Sequence, residues 1–263
     1  MVTPFEGLRP APPADVEWLV GARSSADREG GYRVGWTVPV GHDGVRRVLP
    51  PLDPPGAAGS QGAGPLTTGG AEPRRRWADV LPELTEPDVA PPADLMDRLP
   101  ADASVGALID PLVELLRPLT TTPDDCTFAV WDGWGWSRQA RSITVVGASE
   151  ETERELRARH DRAMAAVESF VASCPVAPGW GGRDQFVCRG PLDALRTIGG
   201  PGVVEDEVSS LMAQVWWPAD HAWVVAHEID DEWVYVAGGP EVMARIDADP
   251  LLESTPVGLD DRL

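Results

Sequence analysis

The chain contains no lysine and no asparagine, so all 22 of its basic residues are arginines. Both missing residues have A-rich codons, which suggests a very GC-rich genome. Without lysine there is no Walker A phosphate clamp, no strand lysine of a protein kinase, and no Schiff base to a carbonyl or to pyridoxal phosphate. Cysteine is also scarce. Cys126, Cys174 and Cys188 are widely spaced and form no Cys-x-x-Cys pair, which fits reduced core thiols better than a disulfide framework or a zinc site. Positive charge is in deficit, with 42 acidic residues setting a formal net charge of −20. That field repels a phosphate backbone, and the basic run Arg74–Arg75–Arg76 is too short to reverse it, so nucleic acid is not an expected partner. No window offers about 18 consecutive apolar residues, and the amino terminus lacks a basic start followed by an apolar run. The expectation is a soluble cytoplasmic protein without a membrane partner.

What is present is globular. The 263 residues are 43% hydrophobic and 24% charged, enough to build a core and too apolar for wholesale disorder. A single α+β domain is expected over residues 1–263, interrupted by a flexible Gly/Pro-rich loop at 51–76 and a Pro-rich segment at 86–100. The glycines at 56, 59, 62 and 64 are flanked by prolines where a dinucleotide fingerprint needs a strand and a helix. Alternation predicts strands near 32–38, 127–131, 142–146, 185–189, 222–229 and 232–237. These make a mostly antiparallel sheet of about six strands. Val45–Leu49 reads as a short amphipathic segment, and 77–84 as a short helix. Helical periodicity predicts 105–117, 150–172 and 240–247, packed mainly on one face of the sheet. Ser149 is the expected cap of the longest helix, and Asp15 caps a short one near residues 15–20. In that longest helix Glu150–Arg154, Glu153–Arg157 and Glu155–Arg159 make i,i+4 pairs on a self-neutralised solvent face.

The blocks WTVPVGHDGVRRVLPPL, TTTPDDCTFAVWDGWGW, FVCRGPLDAL and WWPADHAWVVAHEIDDEWVYVAGG resemble a family of actinobacterial proteins to which no activity is attached. The resemblance spans about two thirds of the chain in discontinuous pieces. It implies one unified domain and supplies no function. His221 stands where the family usually has arginine.

Two constellations carry the chemistry that is visible. The stretch Trp216–Gly239 holds His221, His227, Glu228, Asp230 and Asp231. In a strand, residues six apart are displaced by about 20 Å, so His221 and His227 do not share an ion, and no metal or other cofactor is expected. With a two-residue turn at Asp230–Asp231, Ala226 falls opposite Tyr235, and His227 shares an aliphatic face with Val225, Ile229, Val234 and Val236. The second constellation is aromatic: Trp131, Trp134 and Trp136 crowd the Asp132-Gly133-x-Gly135 turn, and Trp216 and Trp217 sit beside Pro218. They are either core plugs or a binding surface. The candidate binding residues are therefore Trp131, Asp132, Trp134, Trp136, Trp216, Trp217, Asp220 and Glu228, with no catalytic residue assigned. The expected function is a non-enzymatic, immunity-like or regulatory protein that presents a Trp-rich acidic surface to another protein. The alternative is a small-molecule hydrolase using Asp or Glu with His227.

Overall fold

The structure is a computed structural model and describes residues 5–23, 33–52, 76–86, 98–100, 104–134, 149–179, 183–198 and 213–261. The expected strand at 142–146, and most of the two Gly/Pro-rich segments, lie outside the described residues. The fold is α+β, built on a large antiparallel sheet of nine strands. In chain order these are β1 (Arg9–Pro10), β2 (Gly44–Leu49), β3 (Cys126–Trp131), β4 (Val176–Ala177), β5 (Gln185–Gly190), β6 (Val215–Pro218), β7 (Trp223–Ala226), β8 (Val234–Gly238) and β9 (Glu253–Pro256). The spatial order is β1-β5-β3-β6-β7-β8-β2-β9, and β4 shares the outer edge of β5 with β1. Helices α1 (Pro13–Ala22), α2 (Val34–Thr37), α3 (Trp77–Val80), α4 (Ile109–Leu116), α5 (Glu150–Ser173) and α6 (Pro240–Ala248) cover it.

Alternation along the strands sorts side chains into two cores, one on each face. Phe128, Val130, Trp216, Trp223, Val225, Val234 and Val236 point to one face, where α4, α5 and α6 meet them. Helix α4 supplies Ile109, Leu112, Val113 and Leu116, an i, i+3, i+4, i+7 stripe, and α6 supplies Val242, Met243 and Ile246. The three predicted helices thus pack on one face. Ala129, Val187, Val215, Trp217, Val224 and Tyr235 point to the other, which is closed by Leu19 of α1, Val34 of α2, Trp77 of α3 and the turn at Pro82–Leu84. Burial on both faces explains why the central strands read as apolar runs rather than as clean alternation.

Several expectations change. Residues 34–37 form a helical turn instead of a strand. The Val34 and Gly35 amides donate to the Asp261 and Leu259 carbonyls, and Val38 N–H closes on the Val34 carbonyl. A Cβ on Gly35 would sit 3.0 Å from the Leu259 oxygen, so the close approach of the carboxy-terminal segment depends on glycine. Val45–Leu49 belongs to a strand, β2, between β8 and β9. Its two arginines mask the pattern: Arg46 reaches Asp247 on α6 at 2.8 Å, while Arg47 is buried on the opposite face. Trp216–Trp217–Pro218 is strand β6, with Pro218 at its last position, where a missing N–H does least harm. The β7–β8 pairing keeps Ala226 opposite Tyr235 as expected, but strand character stops there, and 227–233 is a seven-residue loop in place of a two-residue turn. Asp15 does not cap α1, whose N-cap is Pro12; its carboxylate accepts from Thr127 Oγ1 at 2.8 Å and from Arg189. Ser149 does cap α5, accepting from Thr152 N at 3.2 Å.

Candidate binding cleft at one end of the sheet

Because neighbouring strands run antiparallel, the last residues of β3 and β7 lie beside the first residues of β5 and β6. Around this end of the sheet is a cleft with an empty volume of about 350 Å³, solvent at its mouth included. Trp131, Gln185, Gln214 and Val215 enter it from strand ends, and Trp36 and Thr37 from α2. Arg23 enters at the end of α1, Arg183 from the approach to β5, and His227, Glu228 and Ile229 from the β7–β8 loop.

The polar side chains hold one another in place. Gln214 is buried, its Oε1 accepts from the Trp131 amide, and its carbonyl accepts from His227 N at 2.8 Å. One glutamine therefore pins the ends of two strands. Arg23 donates to Gln185 Oε1 at 2.7 Å and to the Pro178 carbonyl at 2.9 Å. Arg183 donates to Glu228 and, at 2.7 Å, to Asp230, and the Ile229 amide donates to Glu228 Oε1 at 2.8 Å. Burial alone would lower the Arg183 guanidinium, but Asp230 and Glu228 outweigh it and raise its pKa. His227 Nδ1 is 2.8 Å from the Glu228 carbonyl. A carbonyl only accepts, so in the neutral ring Nδ1 carries the proton and Nε2 is the acceptor. His227 is buried and borders the cleft with Ile229, while Val225, Val234 and Val236 lie in the core under α4, α5 and α6.

Of the eight candidate residues, the structure gathers three here. Trp131 and Glu228 line the cleft, and Asp132 follows directly in the turn Asp132–Trp134. The glycine of that turn is required: a Cβ on Gly133 would collide with the Trp131 ring. Asp132 Oδ1 is buried with no partner among the described residues. Trp136, and the side chain of Trp134, lie outside the described residues. Trp216 and Trp217 are fully buried and point to opposite faces of β6. That takes both out of any exposed surface. Asp220 sits at the far end of the sheet, where it accepts from Thr120 Oγ1 at 2.8 Å and from Thr121 N and Oγ1 at 2.7 Å each. Burial pushes its carboxyl up, but these hydrogen bonds outweigh that and hold it below the ordinary range. Its role is to tie the β6–β7 turn to the 120–122 segment.

His221 and His227 stand at opposite ends of β7, and among the described residues no group of three or more His, Cys, Asp or Glu side chains is placed to hold a metal ion. His221 has a left-handed φ of 53° and lies against Trp18 at 4.3 Å between ring centroids. The three cysteines are free and buried, and burial pushes Cys126 up to about 12 and Cys174 to about 11, so neither is a nucleophile. No described helix is long and apolar enough to cross a membrane.

The residues that motif reasoning passed over are Arg23, Trp36, Arg183, Gln185 and Gln214. The signal for two of them was present: Gln185 and Gln214 each stand at or just before the first residue of an apolar strand, where a buried amide has to find partners.

No family model matches the chain, and neither a search of curated proteins nor a search of solved structures found a match.

Proposed function

We propose that the protein is a non-enzymatic cytoplasmic binding protein, immunity-like or regulatory, that engages another protein through the sheet end carrying Trp131, Asp132 and Glu228. The observation that supports this is the form of the cleft. Its space of about 350 Å³ counts the solvent at its open mouth, so it encloses little, whereas sites for metabolites bury most of the ligand's surface. It suits a side chain inserted by a partner better than a whole ligand. Its rim carries an indole, a guanidinium and carboxylates, the mixture of rigid aromatic and charge typical of protein contact centres. The net charge of −20 selects a basic partner and speeds its approach. Trp131→Ala and Arg183→Ala, each compared with wild type in affinity capture from native lysate, test the assignment. A specific partner should be lost at least tenfold in both variants and retained in Asp220→Ala. A partner indifferent to Trp131 and Arg183 rejects the cleft as its docking site.

One observation favours a second reading, a small-molecule hydrolase using Asp or Glu with His227. His227 borders the cleft in the tautomer whose Nε2 accepts a proton, as a general base requires. Against it, the Glu228 carboxylate already accepts from Arg183 and from the Ile229 amide. Hydrolysis of a panel of activated esters and amides that disappears in His227→Gln, with thermal stability unchanged, would support the enzyme. No turnover above the His227→Gln background rejects it.

A further inference from the structure

The loop at 227–233 does two things at once. Its first residues, His227, Glu228 and Ile229, form one wall of the cleft, and its centre carries three consecutive acidic residues, Asp230 to Glu232. On the cleft side Arg183 grips Glu228 and Asp230. Glu232 accepts from the Val105 amide ahead of α4. Asp231 turns the other way, towards Arg47 of β2, and its Oδ2 is buried with no hydrogen-bond partner among the described residues. The charged and titratable groups around it are Glu228, Asp230 and Glu232 on its own loop, Arg47 on β2 and Tyr235 on β8, and Asp261 of the carboxy-terminal segment acts on Arg47 and Tyr235. Three loop carboxylates thus act on Asp231 against the one guanidinium of Arg47, itself buried and hydrogen-bonded to the Glu86 carbonyl, with no partner for its Nε among the described residues. An ionised Asp231 would meet three like charges with one guanidinium to offset them.

We propose that the 227–233 loop is a proton-held lid on the cleft: the neutral Asp231 carboxylic acid keeps it seated, and loss of that proton expels Asp231 and carries His227, Glu228 and Ile229 away from the cleft wall. Burial, reinforced by Glu228 and Asp230, pushes the Asp231 carboxyl up to about 8, so the closed loop prevails at neutral pH and opens as pH rises past that value. The lid matters to function only if the cleft is the binding site, but its motion is measured without any ligand, so the two ideas fail separately.

Amide hydrogen exchange gives the test. Three amides report the closed loop: His227 N donates to the Gln214 carbonyl at 2.8 Å, Ile229 N to Glu228 Oε1 at 2.8 Å, and Asp231 N to the Glu228 carbonyl at 3.0 Å. After correction for intrinsic rates, protection in the peptide covering 227–233 should fall at least tenfold between pH 6.5 and pH 9 while β3 and α4 stay protected. Asp231→Asn should hold constant protection over that range. Constant protection in the wild-type loop overturns the proposal, as does a loss shared by β3 and α4, or an Asp231→Asn loop that opens like wild type. Should Asp231→Asn fail to fold, the wild-type profile alone still decides between the first two outcomes.

Discussion

At the scale of single residues, the ionisable groups of Asp231 and Arg47, desolvated by burial, tie stability to protonation and packing. A carboxyl raised from its ordinary 3.8 to about 8 binds its proton more tightly in the folded chain than in the unfolded one. Its stabilising contribution is therefore complete below pH 4 and is lost progressively as pH rises to 8, by a few kcal/mol at roughly 1.4 kcal/mol per power of ten. Urea midpoints measured from pH 5 to pH 8.5 should fall for wild type more steeply than for Asp231→Asn, and the variant should be the more stable of the two at pH 8.5. Parallel curves would show that Asp231 titrates as an ordinary surface acid. Arg47 is only 3% exposed, and burial pulls its pKa down against the attraction of Tyr235, Asp261 and Asp231. Truncation removes both its packed stem and its bond to the Glu86 carbonyl. Arg47→Ala should cost about 3 kcal/mol or more in chemical denaturation.

At the scale of elements, the tryptophans divide by strand position. Trp216 of β6 packs edge-on against Trp223 of β7 at 5.3 Å, both fully buried, whereas Trp131 ends β3 only partly buried. Trp216→Ala should therefore destabilise by about 3–5 kcal/mol, and Trp131→Ala by about 1 kcal/mol or less, as read from thermal or urea unfolding. Equal costs would remove the distinction between core and rim that the binding assignment uses. Strand β6 also shows what the sequence conceals. Trp-Trp-Pro reads as a crowded turn until β3 and β7 are placed on either side of it, because each indole then has its own face. Strand β3, strand β5, the long helix α5 and the Ala226–Tyr235 register were legible, since periodicity and a local cap specify them. Helix α2 and strand β2 were not. The backbone partners of α2 come from residues 259 and 261, far along the chain, and the β2 pattern is interrupted by two arginines whose partners are equally remote. The candidate site divides likewise: Trp131, Asp132 and Glu228 stood out as residue types, while Arg23, Arg183 and the two glutamines became visible only when strand ends met.

At the scale of the whole molecule, the sheet is sealed on both faces, so its ends offer the concave polar surface. One end is occupied by structural pairing: Arg189 binds Asp125 through two bonds of 2.6 Å, and Arg9 adds a third contact at 2.8 Å. The other end is the cleft. With a net charge of −20 on the chain, association with a basic partner should slow and weaken as salt rises from 50 to 500 mM, because the Debye length falls from about 14 Å to about 4 Å. A salt-independent affinity would remove charge from the account. The most direct measurement is site-specific photo-crosslinking in native cells, with a benzophenone side chain placed at position 131 or, as control, at position 220. The account predicts a discrete crosslinked protein from position 131 that is absent from position 220 and lost on adding Arg183→Ala. Identical adducts from both positions, or none from 131, would contradict it.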